Sequence, residues 1–193
     1  MPCVEGDVLY NATPVMAPNG RVQGWQRQTH LPTEERAGGL TRGECLTVID
    51  TGAGRLGILI GEDVLYPEVA RILCLLGANV LVHQGAWSTT TQAQWMSRLW
   101  REVQANQVFG LESVLAGGGY RGRATVHAPC EMTSDRRGVI AQAKGDGGDE
   151  VVSADLDLAA LQAVVDEYPI YDMLNEAMYR RYFPSLYESG LRQ

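Results

Sequence analysis

The chain has 193 residues, of which 45% are hydrophobic, and a formal net charge of −7. This is enough apolar material for one domain with its own core, expected to span residues 1–193. The acidic balance argues against nucleic acid and anionic membrane as main partners, and no apolar run is long enough to cross a bilayer.

Taken in chain order, Val8 to Ala17 reads as a strand, rich in apolar and β-branched residues. Pro18-Asn19-Gly20 marks a turn, and Arg21 to Gln28 resumes extended structure, so a β-hairpin is predicted. His30 to Gly43 is polar and reads as a surface loop. Leu46 to Asp50 and Leu56 to Ile60 are short apolar runs bounded by glycines, as buried strands are. Pro67 to Leu76 carries proline at its start and Gly77 past its end, with Val69, Ile72, Leu73 and Leu76 on one face. A helix there, followed by a strand at Asn79 to Val82, makes a βαβ unit with parallel pairing.

Gln92 to Asn106 has Trp95, Leu99 and Val103 at helical spacing. Phe109 to Leu115, Arg123 to Ala128, Gly138 to Ala143 and Val151 to Leu156 read as strands, the last two separated by a turn at Gly145-Asp146-Gly147-Gly148. Leu158 to Glu167 and Tyr171 to Tyr182 read as helices, with Pro184 closing the tail. Hairpins combined with βαβ units predict an α/β layered fold with mixed sheets.

The opening Met1-Pro2-Cys3-Val4-Glu5 lacks the basic and apolar stretches of a secretory signal. Cys3, Cys45, Cys74 and Cys130 lie far apart without CxxC spacing, as expected for reduced thiols. A cytoplasmic location is expected, with no metal and no cofactor. His30, His83 and His127 show no chelating spacing, and His127 with Cys130 could form a Cys–His pair or be structural. Gly52-Ala53-Gly54-Arg55-Leu56-Gly57 spells GxGxxG, but an apolar strand follows where a nucleotide site needs a helix, so a hairpin turn is expected. Glu62 and Asp63 directly follow a buried strand. They either face a site at its carboxyl end or cap the next helix.

The stretch Gly57-Ile58-Leu59-Ile60-Gly61-Glu62-Asp63-Val64-Leu65-Tyr66-Pro67-Glu68 carries a resemblance. It is similar to the nitrilase-superfamily (carbon–nitrogen hydrolase) segment in which a strand delivers a cysteine, then an Asp, then a helix opening with Pro-Glu. Tyr10-Asn11-Ala12 with Pro18-Asn19-Gly20 resembles the family's hairpin, and Arg27-Gln28-Thr29-His30-Leu31-Pro32 its Lys-x-His-Leu segment. Asn106-Gln107-Val108-Phe109 resembles the end of its Arg-Ala-x-Glu-Asn helix, and Phe183-Pro184-Ser185-Leu186-Tyr187 its ending.

The resemblance implies an α-β-β-α sandwich, incomplete on its amino-terminal side. It also implies hydrolysis or condensation of amides, nitriles and carbamoyl groups by a cysteine, a glutamate base and a lysine. Here the cysteine position holds Gly61 and the lysine position Gln28. The glutamate of the Arg-Ala-x-Glu-Asn helix falls on Ala105. The base glutamate is expected in an opening segment that would precede this sequence. Lys144 is the only lysine among the 16 basic residues.

The expectation is therefore an inactive homologue acting as a binding or structural subunit. Gln28, Gly61, Glu62 and Trp87 would line a vestigial pocket for a small amide or carboxylate. The alternative is an active carbon–nitrogen hydrolase, completed by a partner chain or working by an altered mechanism in which Glu62 or Asp63 activates water. A homo-oligomer or a complementing chain is expected, with Pro67 to Leu76 and Tyr171 to Leu186 as its face.

Overall fold

The computed structural model describes residues 1–86, 98–120, 122–145 and 148–188. Its first unit is a four-stranded sheet of β1 (Pro2–Glu5), β2 (Val8–Met16), β3 (Val22–Arg27) and β4 (Leu40–Thr41). The predicted hairpin is β2–β3, in antiparallel register from Ala12↔Arg27 to Met16↔Val22. The polar segment read as a loop contains a short helix, α1 (Thr33–Ala37), before β4. Both elements are too short for a periodicity signal.

The second unit is a six-stranded sheet. Its strands are β5 (Val48–Thr51), β6 (Gly54–Ile60), β7 (Val80–Gly85), β8 (Phe109–Val114), β9 (Thr125–His127) and β10 (Val139–Gln142). Their spatial order is β10-β9-β8-β7-β6-β5. The β6–β7 and β7–β8 pairs are parallel, and antiparallel strands flank them on both sides. The GxGxxG stretch is the turn of the β5–β6 hairpin, closed by the Thr51↔Gly54 pair. No helix starts there to receive a phosphate.

Helix α2 (Pro67–Leu75) is the crossover between β6 and β7, bounded as its end signals predict. Gly77, at φ +97°, turns the chain into β7. Helix α3 (Arg98–Asn106) leads into β8. The remainder of the Gln92 to Asn106 prediction, including Trp95, lies outside the described residues, as does part of the Gly145–Gly148 turn.

Leu59 and Leu81 face one side of the sheet, where they pack with Leu73 of α2 and with Leu99 and Val103 of α3. Each buried leucine contributes about 2 kcal/mol by leaving water. Strand alternation sends Val80 to the other face. There it clusters with Phe109, Ala128 and Leu161 of α4 (Leu158–Glu167). Asp157 caps α4 by accepting the Ala159 and Ala160 amides. The two sheets meet where Thr13 Oγ1 donates to Gln84 Oε1 at 2.7 Å and where Gly24 lies against Ile49. Met16, Val22 and Trp25, on the four-stranded sheet, stay exposed.

Two predictions are corrected. Val151 to Leu156 makes no ladder; Val151 is 98% exposed, so its apolar run has no sheet to join. The last helix is α5 (Glu176–Glu188), not Tyr171 to Tyr182, and it runs through Pro184 rather than stopping there. Asn175 sets the start, because its side chain accepts the Met178 amide. Tyr171 instead packs inward, its hydroxyl donating to the Asn106 carbonyl at 3.2 Å. No helix among the described residues is long and apolar enough to cross a membrane.

Candidate functional site

Strand β6 carries Ile58, Leu59 and Ile60 into the core, and Gly61 then turns the chain at φ +54° into a 3-10 turn, Gly61–Leu65. This left-handed conformation favours glycine, because a side chain crowds the backbone there. Asp63, fully buried in the turn, accepts hydrogen bonds from the Ile60 amide at 3.1 Å, the Thr29 amide at 3.1 Å and hydroxyl at 2.7 Å, and the His30 amide at 2.8 Å. One carboxylate thus ties the segment after β3 to the end of β6. His30 also stacks on Tyr66, with ring centroids 3.7 Å apart.

That tie places Gln28 over Gly61. The Gln28 amide nitrogen donates to the His30 carbonyl at 2.8 Å and to Glu62 Oε2 at 3.0 Å. Its oxygen accepts from Asn11 Nδ2 at 2.8 Å. A Cβ built on Gly61 would stand 3.0 Å from the Gln28 nitrogen. Beneath, buried His83 bridges the Gly61 carbonyl at 3.1 Å and Glu112 at 3.0 Å.

Gln28, Gly61 and Glu62 line one cleft of about 580 Å3, together with Asn11, Gln84 and Ser113. A volume of this size suits a small molecule. Glu35, Asp149 and Glu150 also line it. Glu35 Oε2 is buried without a hydrogen-bond partner. Burial, then the nearby Glu62 and Glu34, raise the Glu35 carboxyl above the usual carboxylate range.

Glu62 and Asp63, left open between site and cap, divide the two roles. Glu62 faces the cleft, while Asp63 is a buried acceptor and cannot reach a ligand. Ala105 lies on the exposed face of α3, away from the cleft, where its carbonyl accepts from Arg71. Trp87 is outside the described residues; Ala86 before it lines the cleft. His127 and Cys130 do not pair. His127 Nε2 lies 3.7 Å from Glu112, and the Cys130 amide bonds to Gln104. Glu35 escaped the sequence reading because nothing local distinguishes it from Glu34 beside it. No cluster of His, Cys, Asp or Glu suited to a metal occurs among the described residues.

No cysteine is among the described residues that line the cleft. Cys74 sits in α2, and burial pushes its thiol up to about 12. Thiol labelling should therefore modify exposed Cys45 fastest and leave Cys74 unmodified until denaturant is added. Mass spectrometry of the labelled peptides checks this order.

Residues 2–165 match the carbon–nitrogen hydrolase family across most of the chain. The chain belongs to the carbon–nitrogen hydrolase family. Curated relatives include omega-amidase NIT2 of Bos taurus, 27% identical over 180 residues that cover 89% of this chain and 64% of that protein. Nitrilase homolog 2 of Dictyostelium discoideum is 27% identical over 182 residues, covering 89% of this chain and 54% of that protein. The chain thus spans little more than half the length of such relatives.

Among solved structures, a carbon–nitrogen hydrolase from Helicobacter pylori superposes with a TM-score of 0.79 at 22% identity, covering 91% of this chain and 66% of that one. Saccharomyces cerevisiae Nit3, of the nitrilase superfamily, gives a TM-score of 0.76 at 24% identity, covering 88% and 62%. The fold of this carbon–nitrogen hydrolase homologue is therefore the nitrilase fold.

Proposed function

We propose that this chain is a carbon–nitrogen hydrolase homologue that binds a small molecule in its cleft without turning it over. The observation that carries this reading is the pairing of Gly61 with Gln28. At the position where the family resemblance places a cysteine there is no side chain, and the approach to it is occupied by a neutral amide. A nucleophile needs a lone pair and a nearby base, and the developing oxyanion needs a positive group. Gly61 and Gln28 supply neither the nucleophile nor the charge. A complementing chain or a second copy would cover the exposed apolar residues of the four-stranded sheet and of α5.

One observation favours a second reading. Glu35 and Glu62 stand close enough for their charges to interact, and both line the cleft. Such a pair can hold one carboxylate as a base for water. Ammonia release from butyramide, propionitrile and N-carbamoyl amines, on a sample shown to be folded by its melting curve, separates the two. The binding reading expects no release above the buffer blank. Release that survives thiol-blocking reagents and is abolished by Glu62→Gln would establish the carboxylate mechanism instead.

A further inference from the structure

We infer that His83, Glu112 and His127 form a pH-sensitive latch beneath the cleft: His83 holds a proton on each ring nitrogen, and the loss of one releases the turn at Gly61. His83 and Glu112 pair across β7 and β8, next to the Gln84 and Ser113 pair that lines the cleft, and strand alternation turns them to the opposite face. The latch therefore acts whether the cleft binds its ligand or turns it over.

The acceptors around His83 require both protons. The ring is fully buried. Its Nε2 stands 3.1 Å from the Gly61 carbonyl oxygen, which can only accept. Its Nδ1 stands 3.0 Å from Glu112 Oε1. An ionised carboxylate also only accepts, so each contact needs a ring proton, and a neutral imidazole has one. Burial raises the Glu112 carboxyl, but the two imidazoles beside it outweigh that and hold it below the usual range, which leaves the negative charge on Glu112. His83 is then an imidazolium, and each buried charge offsets the desolvation of the other.

The charged groups on the neighbouring elements have other partners or stand further off. His127 Nε2, on β9, is 3.7 Å from Glu112 Oε2, beyond hydrogen-bond distance, so His83 is the nearer partner of the carboxylate. In the turn, Glu62 accepts from Gln28, and Asp63 from Thr29 and His30. On α3, Glu102 pairs with Arg101.

Losing one proton to solvent forces a choice on the His83 ring. A hydrogen bond to a carboxylate is about twice as strong as one between neutral groups, so the remaining proton stays on Nδ1. Nε2 then turns a lone pair toward the Gly61 oxygen, and the contact that holds the turn becomes a repulsion between two acceptors. Gly61 is followed by Glu62, which holds Gln28 over the cleft, so the release reaches the cleft wall.

The test is nitrogen NMR of the full chain, labelled in its histidine rings and backbone and followed from neutral to alkaline pH. At neutral pH both His83 ring nitrogens should show the shifts of protonated nitrogens. As pH rises, Nε2 alone should move to the shift of an unprotonated nitrogen. The Glu62 amide, joined to the Gly61 carbonyl carbon, should shift with the same midpoint. Glu112→Gln should abolish that step in the Glu62 amide, because its own amide can donate to Nδ1 and leave the single proton of a neutral ring on Nε2. Where this variant fails to fold, the ring and amide titrations of the unmodified chain decide. A His83 ring with an unprotonated nitrogen at neutral pH would overturn the inference. So would a ring that keeps both protons until the chain unfolds, a Glu62 amide that does not follow the ring, or a Glu112→Gln variant that keeps the step.

Discussion

Replacing Asp63 by alanine is expected to destabilise the fold by about 3–5 kcal/mol, read as a lower urea midpoint, the largest effect of any single substitution near the cleft. Asp63 is fully buried and accepts from three backbone amides and one hydroxyl contributed by Thr29, His30 and Ile60. Alanine leaves those donors buried and unpaired, and each carries a desolvation penalty. Asp63→Asn restores one acceptor oxygen but turns an amide group toward backbone amides, so it should recover only part of the loss. Because Asp63 joins the end of β6 to the segment bearing Gln28, both variants should also weaken whatever binds in the cleft. An unchanged midpoint in Asp63→Ala would mean that water replaces the carboxylate without cost.

Glu112→Ala should cost about 3 kcal/mol at neutral pH, by removing the carboxylate shared by two buried imidazoles. Glu112 Oε1 faces His83 Nδ1 at 3.0 Å, and Oε2 faces His127 Nε2 at 3.7 Å. Burial alone would raise the Glu112 carboxyl, but the two imidazoles beside it, His83 in hydrogen-bond contact and His127 at 3.7 Å, outweigh it and hold it below the usual range. A carboxyl held low in the folded state contributes stability that is complete above its unfolded pKa, about 4.3. That contribution is lost as pH falls through the lower folded value. The gap between wild type and Glu112→Ala should thus shrink as pH falls below about 4. Urea midpoints measured across that range check the sign. A gap that widens on acidification would show that Glu112 is neutral in the fold.

The same cluster underlies the conformation at Gly61. His83 Nε2 faces the Gly61 carbonyl, which only accepts, so a proton resides on Nε2. Loss of Glu112 should therefore loosen the turn that shapes the cleft floor, and hydrogen exchange at Glu62 and Asp63 would report it.

Several elements were legible from residues adjacent in the chain. Pro18-Asn19-Gly20 specified the β2–β3 hairpin, and Pro67 with Gly77 bounded α2. The order of motifs around Gly61 and Gln28 carried the family, because turn and cap chemistry depends on a few neighbouring residues and so survives in a single sequence. Tertiary structure alone decided the rest. It sent Glu62 into the cleft and Asp63 into the core, although they are adjacent and chemically alike. It drew Glu35 out of a polar loop into the cleft wall, moved Ala105 away from it, and brought His83, Glu112 and His127 together from three strands. It left Val151 to Leu156 unpaired although their pattern suits a strand. In each case the outcome depends on burial and on partners distant in sequence, which local pattern does not encode. Gly61 belongs to both levels: its identity is read in the sequence, and only the fold shows that Gln28 stands over the place a side chain would take.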